Sequence, residues 1–205
     1  MEKQGYHHGN LRQALVEAGL SLARTGGPRS VVLRAASREA GVSHNAAYRH
    51  FEDREALLAA VSQRCMGELG GLMSRRLSSV SERPEGSQPW AWARLNALGA
   101  AYVEFARTEP GWFQTAFSAT GSHAPVLPPA SEAAPHPFLL LVRCLDDLTT
   151  TGAVPADRRH GSEYAAWSAV HGLSHLLIDG PLRDLPEQEV QLALRKTLSV
   201  VSRGL

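Results

Sequence analysis

Polar side chains that can read DNA bases are concentrated in the segment SHNAAYRH, residues 43–50. Asn forms two hydrogen bonds with adenine in the major groove, and His donates to the acceptor atoms of guanine. We therefore expect His44 and Asn45 to contact base edges. Arg49 is placed to contact either a base or a phosphate. Beside them, Ala46 and Ala47 either touch a thymine methyl or simply allow close approach to the DNA.

Two short helices must hold these side chains, and residues 34–51 fit them. Gly41 stands where the chain turns, because a left-handed or crowded backbone conformation is costly for any residue with a Cβ. Ser43 is placed to cap the second helix by accepting a backbone N–H. Ala36 and Ala40 are small enough to let the two helices cross closely, and Val42 can fill the gap between them. We expect Phe51 to be a core residue. The pattern predicts a helix-turn-helix whose second helix enters the major groove.

Contacts to the DNA backbone are predicted on both sides of this motif. Arg34 lies near the start of the first short helix and is placed to reach a phosphate, supported by the helix dipole. Arg54 is placed similarly at the start of the next helix, and an ordinary solvated charge is the alternative for both. Lys3, His7 and His8 predict an arm near the backbone or minor groove, or else a disordered terminus.

The remainder of the chain has helical periodicity. It lacks the alternation of apolar and polar residues, bounded by turn residues, that indicates β-strands. Asn10 is the predicted cap of a first helix that the Gly-Gly-Pro run at residues 26–28 ends. Asp53 is the predicted cap of a long fourth helix. Further helices are predicted around residues 95–105, from 110, and over 138–150, 162–179 and 186–203, with loops at 84–89 and 121–137. The sequence therefore predicts an all-α fold.

Composition excludes several classes of protein. The chain has 205 residues and a net charge of +1, so no global basic signal points to nucleic acid. Cys65 and Cys144 are far apart and favour a reducing cytoplasm over a disulfide scaffold. No apolar run approaches the roughly 20 residues that span a bilayer. From the cysteines we expect a cytoplasmic protein. Because no nucleophile elbow, phosphate loop or zinc-protease spacing is present, we also expect a non-enzymatic protein without a cofactor.

The N-terminal quarter resembles the TetR family of bacterial transcriptional regulators. The resemblance rests on AGVS at residues 40–43, AYRHF at 47–51 and REALL at 54–58. It implies a DNA-binding domain of three helices over residues 1–55, followed by a regulatory and dimerisation domain over 56–205. It also implies phosphate contacts for Tyr48 and His50. Val32 stands where the family usually has Ser or Thr, so Ser30 becomes a candidate cap for the second helix.

The C-terminal half resembles a TetR subgroup named for a Trp, His and Gly (WHG) signature, here Trp167, His171 and Gly172. The family resemblance implies a helical bundle that dimerises and binds a small ligand, and aromatic side chains between helices suit an apolar or aromatic ligand. Packing in a bundle core is the alternative for each of them. The candidate ligand-binding residues are Tyr102, Phe105, Trp112, Phe113, Phe117, Leu141, Trp167 and His171.

The sequence leaves two roles open for His171. It either donates to a ligand or is a hydrogen-bonded structural histidine. With His175 it has the i, i+4 spacing that can hold a metal ion, but no third ligand is evident nearby in the sequence. We therefore predict no metal site.

The last two helices are predicted to form a four-helix interface between two copies, because the apolar stripe of the final helix is continuous. A two-fold dimer reads a pseudo-palindromic operator in double-stranded DNA. A repressor released from DNA by a small ligand is the function expected. The alternatives are an all-α regulator that acts through a protein partner without a ligand, and a helix-turn-helix protein that no longer binds DNA.

Overall fold

The structure of the chain is a computed structural model. It describes residues 8–80, 83–118 and 135–205, with the backbone alone at residues 8–10. The predicted arm residues Lys3 and His7 lie outside the described residues, as do the side chain of His8 and most of the predicted loop 121–137.

Within these residues the secondary structure is helical and contains no β-strand. The helices are α1 (His8–Ser30), α2 (Leu33–Glu39), α3 (His44–Tyr48), α4 (Arg54–Ser78), α5 (Gln88–Thr108), α6 (Pro110–Ala116), α7 (Pro137–Thr150), α8 (Ser162–Ile178) and α9 (Glu187–Gly204). A 3-10 turn, Ala156–Arg158, precedes α8. The predicted all-α fold is confirmed.

α1 ends where predicted, but the predicted cap of α2 is absent. Gly27 has the left-handed φ of 62° and breaks the regular helix, so the predicted stop is confirmed. Ser30 does not cap α2, because its hydroxyl donates to the carbonyl oxygens of Leu22 and Gly27, both at 2.7 Å. Val32 occupies the N-cap position of α2 without a side-chain hydrogen bond.

Two other helices start earlier than predicted. α1 begins at His8, so Asn10 lies inside the helix and not at its cap position. α5 begins at Gln88, which places Pro89 in its first turn. A proline is tolerated there because its missing N–H would have no partner within the helix.

The chain divides into two compact units. The first comprises residues 1–66 and 109–128, and the second comprises residues 67–108 and 129–205. The first unit therefore contains α6, a helix from the middle of the chain that the sequence assigns to the second domain. Local periodicity predicts that residues 110–116 are helical, but it does not show which distant helix they pack against.

The first unit places α6 directly against α1. A Cβ at Gly111 would overlap the carbonyl oxygens of Ala23 and Arg24, so only glycine allows this approach. The indole N–H of Trp112 donates to the carbonyl oxygen of Leu20 at 2.8 Å. Arg24 lies over the Trp112 ring and forms a two-fold ion pair with Glu109. These contacts fix α6 to the C-terminal half of α1.

The second unit is a bundle of α5, α7, α8 and α9, with the C-terminal part of α4. Gly99 on α5 leaves room for Val170 of α8 and Leu198 of α9. The core side chains of α5 are Ala91, Leu95, Leu98, Tyr102, Val103 and Phe105, all buried. In the part of the chain that is described, no helix has both the length and the hydropathy to cross a membrane.

Candidate nucleic-acid interface and the polar cluster of the second unit

The start of α3 is held by the cap that the sequence predicts. The Ser43 side-chain oxygen accepts the backbone N–H of Ala46 at 3.2 Å. The two candidate base readers, His44 and Asn45, follow immediately and are both exposed. Tyr48 packs edge to face on His44 one turn earlier, with ring centroids 4.7 Å apart, and is still half exposed. The cap thus presents three polar side chains on a short helix.

Ala47 is the exception among the predicted contact residues of α3. It is fully buried, so its methyl packs inside the unit and is not available for a base contact. The other role considered for it, to allow close approach to the DNA, stays a prediction. Of the remaining candidates in the motif, Arg34 and Arg49 are exposed, and Ala46 and His50 are half-buried.

Arg54 makes two contacts within the first unit, and its predicted phosphate contact stays a prediction. Its guanidinium donates to the carbonyl oxygen of Pro28 at 2.8 Å and forms an ion pair with Glu55 at 3.1 Å. These contacts tie the start of α4 to the end of α1. The neighbouring cap is confirmed, because the Asp53 carboxylate accepts the backbone N–H of Ala56 at 2.7 Å.

The arginines of the first unit fall into two groups. Arg24, Arg54 and Arg64 form ion pairs with Glu109, Glu55 and Glu17. Arg12, Arg29, Arg34, Arg38 and Arg49 are exposed and form no hydrogen bond or ion pair through their guanidinium groups within the described part of the chain. The second group lies on or beside the helix-turn-helix, so its positive charge is uncompensated where DNA would approach.

The eight candidate ligand residues are divided between the units. Trp112, Phe113 and Phe117 lie in the first unit, where Trp112 bonds to α1 and the rings of Phe113 and Phe117 are 5.2 Å apart. Tyr102, Phe105, Leu141, Trp167 and His171 lie in the second unit. The described contacts of Trp112, Phe113 and Phe117 are those of core packing, and their role toward a ligand stays a prediction.

A hydrogen-bonded cluster links α5 and α8 in the second unit. The Trp167 indole N–H donates to the Tyr102 hydroxyl oxygen at 3.1 Å. The same hydroxyl is 2.7 Å from Nδ1 of His171. The indole can only donate, so the Tyr102 hydroxyl is the acceptor of that hydrogen bond. The direction of the hydrogen bond between Tyr102 and His171 depends on the tautomer of the imidazole. Phe138 of α7 packs on the Trp167 ring at 5.5 Å.

Burial shifts the titration of this cluster. It raises the pKa of the Tyr102 hydroxyl far above its ordinary value, so Tyr102 stays protonated. Burial, followed by the nearby His175, lowers the pKa of His171 and favours the neutral ring. The cluster therefore acts as a set of neutral donors and acceptors. The sequence predicts that Trp167 and His171 share one face of a helix, but no local pattern connects them to Tyr102 on α5.

His171 and His175 lie close together on α8, with ring centroids 4.8 Å apart. His175 Nδ1 is 3.6 Å from a carboxylate oxygen of Asp179. Across the described residues, no group of three or more His, Cys, Asp or Glu side chains is arranged to hold a metal ion.

A short, exposed helix with a serine cap, which follows a tight turn and lies beside exposed arginines, is typical of a helix-turn-helix DNA-binding domain. The family model for bacterial regulatory proteins of the tetR family matches residues 15–61. The model for the tetracyclin repressor-like C-terminal domain matches residues 95–200, more than half of the chain. The chain therefore belongs to the TetR family of transcriptional regulators and is not an enzyme. No curated protein matches it significantly.

Solved structures have the same fold over nearly the whole chain. A protein with unknown function from Rhodococcus sp. RHA1 is 28% identical, covers 99% of each chain and has a TM-score of 0.74. A TetR family regulator from Marinobacter aquaeolei VT8 is 15% identical, covers 93% of this chain and 95% of its own, and has a TM-score of 0.59. The regulator FadR from Bacillus subtilis, solved with stearoyl-CoA, is 11% identical, covers 94% and 98%, and has a TM-score of 0.63.

Proposed function

We propose that this TetR-family regulator is a repressor that binds a pseudo-palindromic operator as a homodimer and leaves it when a small apolar or aromatic ligand binds. The observation that carries the DNA-binding half of this proposal is the exposed N-terminal end of α3. It presents His44 and Asn45 beside arginines that have no carboxylate partner among the described residues.

Recognition divides between bases and phosphates. His44 and Asn45 read base edges from the first turn of α3, and Ala46 lies close to the bases. Tyr48, Arg49 and His50, together with Arg34 on α2, contact the phosphates and set the register. Ser43 contributes by holding the start of α3. We assign Arg54 and Ala47 to the packing of the first unit, because their described contacts are internal.

Exposed apolar side chains on the last two helices support the homodimer. On α8, Tyr164, Ser168, Gly172 and Leu176 recur every four residues and are all exposed, which forms one stripe with small residues at its centre. On α9, Leu192 is 40% and Val200 is 61% exposed. An apolar stripe with small central residues suits the close crossing of a second copy's helix.

The polar cluster of the second unit supports a ligand site there. Buried polar networks are costly when they are incomplete, and buried groups with shifted pKa values occur often at functional sites. Tyr102, Trp167 and His171 would orient the polar end of a ligand, and Phe105, Leu141 and Phe138 would contact its apolar part. Release from DNA then requires that the ligand bind more tightly to the conformation that does not fit the operator.

DNA recognition is tested by selecting the operator from random duplexes and measuring binding across a salt series. Asn45→Ala should lose about 1–3 kcal/mol on the operator and little on scrambled DNA. Arg34→Ala should weaken binding to both duplexes and reduce the salt slope by about 0.9. Equal losses of Asn45→Ala on both duplexes would remove its base-reading role.

The dimer is tested by light scattering on Gly172→Arg. A Cβ at Gly172 meets no atom within 4 Å, so the substitution should not disturb the protomer. We expect monomers and a loss of operator binding. Gly71→Arg, on α4, is the matched control, because a Cβ there meets only the flexible end of Arg75. A Gly172→Arg protein that remains dimeric would contradict the proposed interface.

Ligand release is tested by adding apolar and aromatic compounds to the protein–operator complex. A true ligand should raise the melting temperature of the free protein and release the DNA. Tyr102→Phe should weaken both effects. If no compound acts and a bound protein partner changes operator binding, the regulator works without a small ligand.

A further inference from the structure

Arg12 stands apart from the other arginines without ion-pair partners. It belongs to α1, outside the helix-turn-helix, but its guanidinium carbon lies 5.0 Å from the centroid of the Phe51 ring. Phe51 follows α3 directly, and its backbone N–H donates to the carbonyl oxygen of Ala47 at 3.0 Å. The positive charge of Arg12 is therefore held at the C-terminal end of the reading helix.

The stacking leaves the hydrogen-bonding capacity of Arg12 intact. The ring attracts the cation but provides no carbonyl or carboxylate oxygen, so the guanidinium N–H donors keep their capacity for such an acceptor. Phe51 is buried on its other sides and is 3% exposed. The Arg12 side chain is exposed, and within the described residues no carboxylate or carbonyl accepts from it.

Arg64 shows the contrasting case on the same unit. It is also an exposed arginine, but it donates to the Glu17 carboxylate of α1 at 2.8 Å. Carboxylates thus compensate arginine on the surface between α1 and α4. Beside α3 the cations Arg12, Arg34 and Arg49 have no such partner. The phosphates of the DNA backbone would compensate these charges on binding, with the release of counterions.

Resting on the proposed binding of the first unit to DNA, we propose that Arg12 contacts a DNA phosphate and that the Phe51 ring positions it for this contact. Stacking restricts a long, flexible side chain before the DNA arrives, so less conformational entropy is lost on binding. A phosphate contact carries no sequence information, so Arg12 sets the affinity and position of the first unit on any duplex.

The test uses the full chain with two variants of Arg12. Arg12→Met keeps an apolar cover over Phe51 and removes the charge. We expect its affinity to fall about three- to tenfold, equally on the selected operator and on a fluorescein-labelled random duplex. The slope of log K against log salt should decrease by about 0.9. Arg12→Lys keeps the charge without the planar group, and we expect it to retain the slope with weaker binding.

The matched control is Arg64→Met, whose charge is already paired with Glu17, and its salt slope should equal that of the natural chain. A lower melting temperature for Arg12→Met with an unchanged slope would show that Arg12 merely covers Phe51, which overturns the proposal. A loss confined to the operator would indicate a base contact and overturns it as well. Thermal unfolding of each variant, measured alongside, ensures that only folded protein is compared.

Discussion

The chain contains two pairs of histidine and tyrosine in opposite environments. On α3, His44 and Tyr48 lie edge to face on the surface. In the second unit, Tyr102 is 3% exposed and bonds to His171 within a network that includes Trp167. The same chemical groups therefore have different uses. The surface pair lies at the start of α3, where we propose the DNA contacts, whereas the buried pair forms hydrogen bonds that link α5 and α8.

The difference extends to the polar groups of each unit. The first unit leaves arginines unpaired on one surface, and its paired arginines lie where α1 meets α4 and α6. In the second unit, ion pairs link neighbouring helices, as in Arg94 with Asp147 and Arg107 with Glu187. Exposed arginines without an ion pair also occur in the second unit, as at Arg75, Arg143 and Arg195 within the described residues. The position of Arg12, Arg34 and Arg49 around the helix-turn-helix therefore distinguishes the first unit, and the absence of a carboxylate partner alone does not.

The largest effect is expected where α6 joins the DNA-binding unit. In Gly111→Ala, the new methyl overlaps two backbone carbonyl oxygens that have no room to move. We expect a loss of about 2–3 kcal/mol of stability, the upper range for overpacking, together with weaker operator binding. Chemical denaturation with an operator titration measures both.

Gly71→Ala in the second unit is the matched control for this prediction. A Cβ there is only 3.4 Å from the flexible end of Arg75, and alanine favours a helix over glycine by about 0.5–1 kcal/mol. The control should therefore be as stable as the natural chain or more so. Equal stability of Gly111→Ala and Gly71→Ala would contradict the close packing of α6 on α1.

The sequence predicted most of the fold because helix periodicity and caps are local signals. Ser43 and Asp53 cap α3 and α4 as expected, and Gly27 breaks α1 where expected. Contacts between distant segments could not be predicted in this way. Arg54 has the position of a phosphate contact, but the carbonyl of Pro28, 26 residues earlier, takes up its guanidinium.

The candidate sites show the same limit. The exposure of His44 and Asn45 follows from their place in a short amphipathic helix, and the structure agrees with it. The link from Trp167 and His171 to Tyr102 spans 65 and 69 residues, so no local pattern reveals it. The sequence likewise makes Trp112 a candidate for lining a ligand pocket, but its indole N–H donates to the carbonyl oxygen of Leu20 on α1. Tertiary packing determines which acceptor a tryptophan N–H finds, so the sequence pattern does not reveal it.

A smaller effect distinguishes the two tyrosines. Tyr102→Phe removes the acceptor of the Trp167 N–H and the hydrogen-bond partner of His171 Nδ1, and we expect a loss of about 1–3 kcal/mol of stability. Tyr48→Phe changes an exposed hydroxyl and should shift stability by less than about 0.5 kcal/mol, while it weakens DNA binding. Denaturation and operator titration of both variants provide the measurement. Similar stability losses for the two variants would remove the contrast between the buried and the surface pair.

The smallest effect is a dependence of stability on pH that arises from the buried pair. The pKa of His171 is lowered in the folded state from its ordinary value of 6.5. The unfolded chain therefore binds the proton first as the pH falls, so stability is full above about pH 6.5 and decreases below it. His136 has a pKa lowered by burial and contributes in the same direction. We expect His171→Gln to reduce this decrease between pH 7 and pH 5 without abolishing it, as measured by urea denaturation at each pH. A decrease as steep as that of the natural chain would mean that His171 is not held neutral by the fold, and the contrast with the surface histidine would then rest on hydrogen bonding alone.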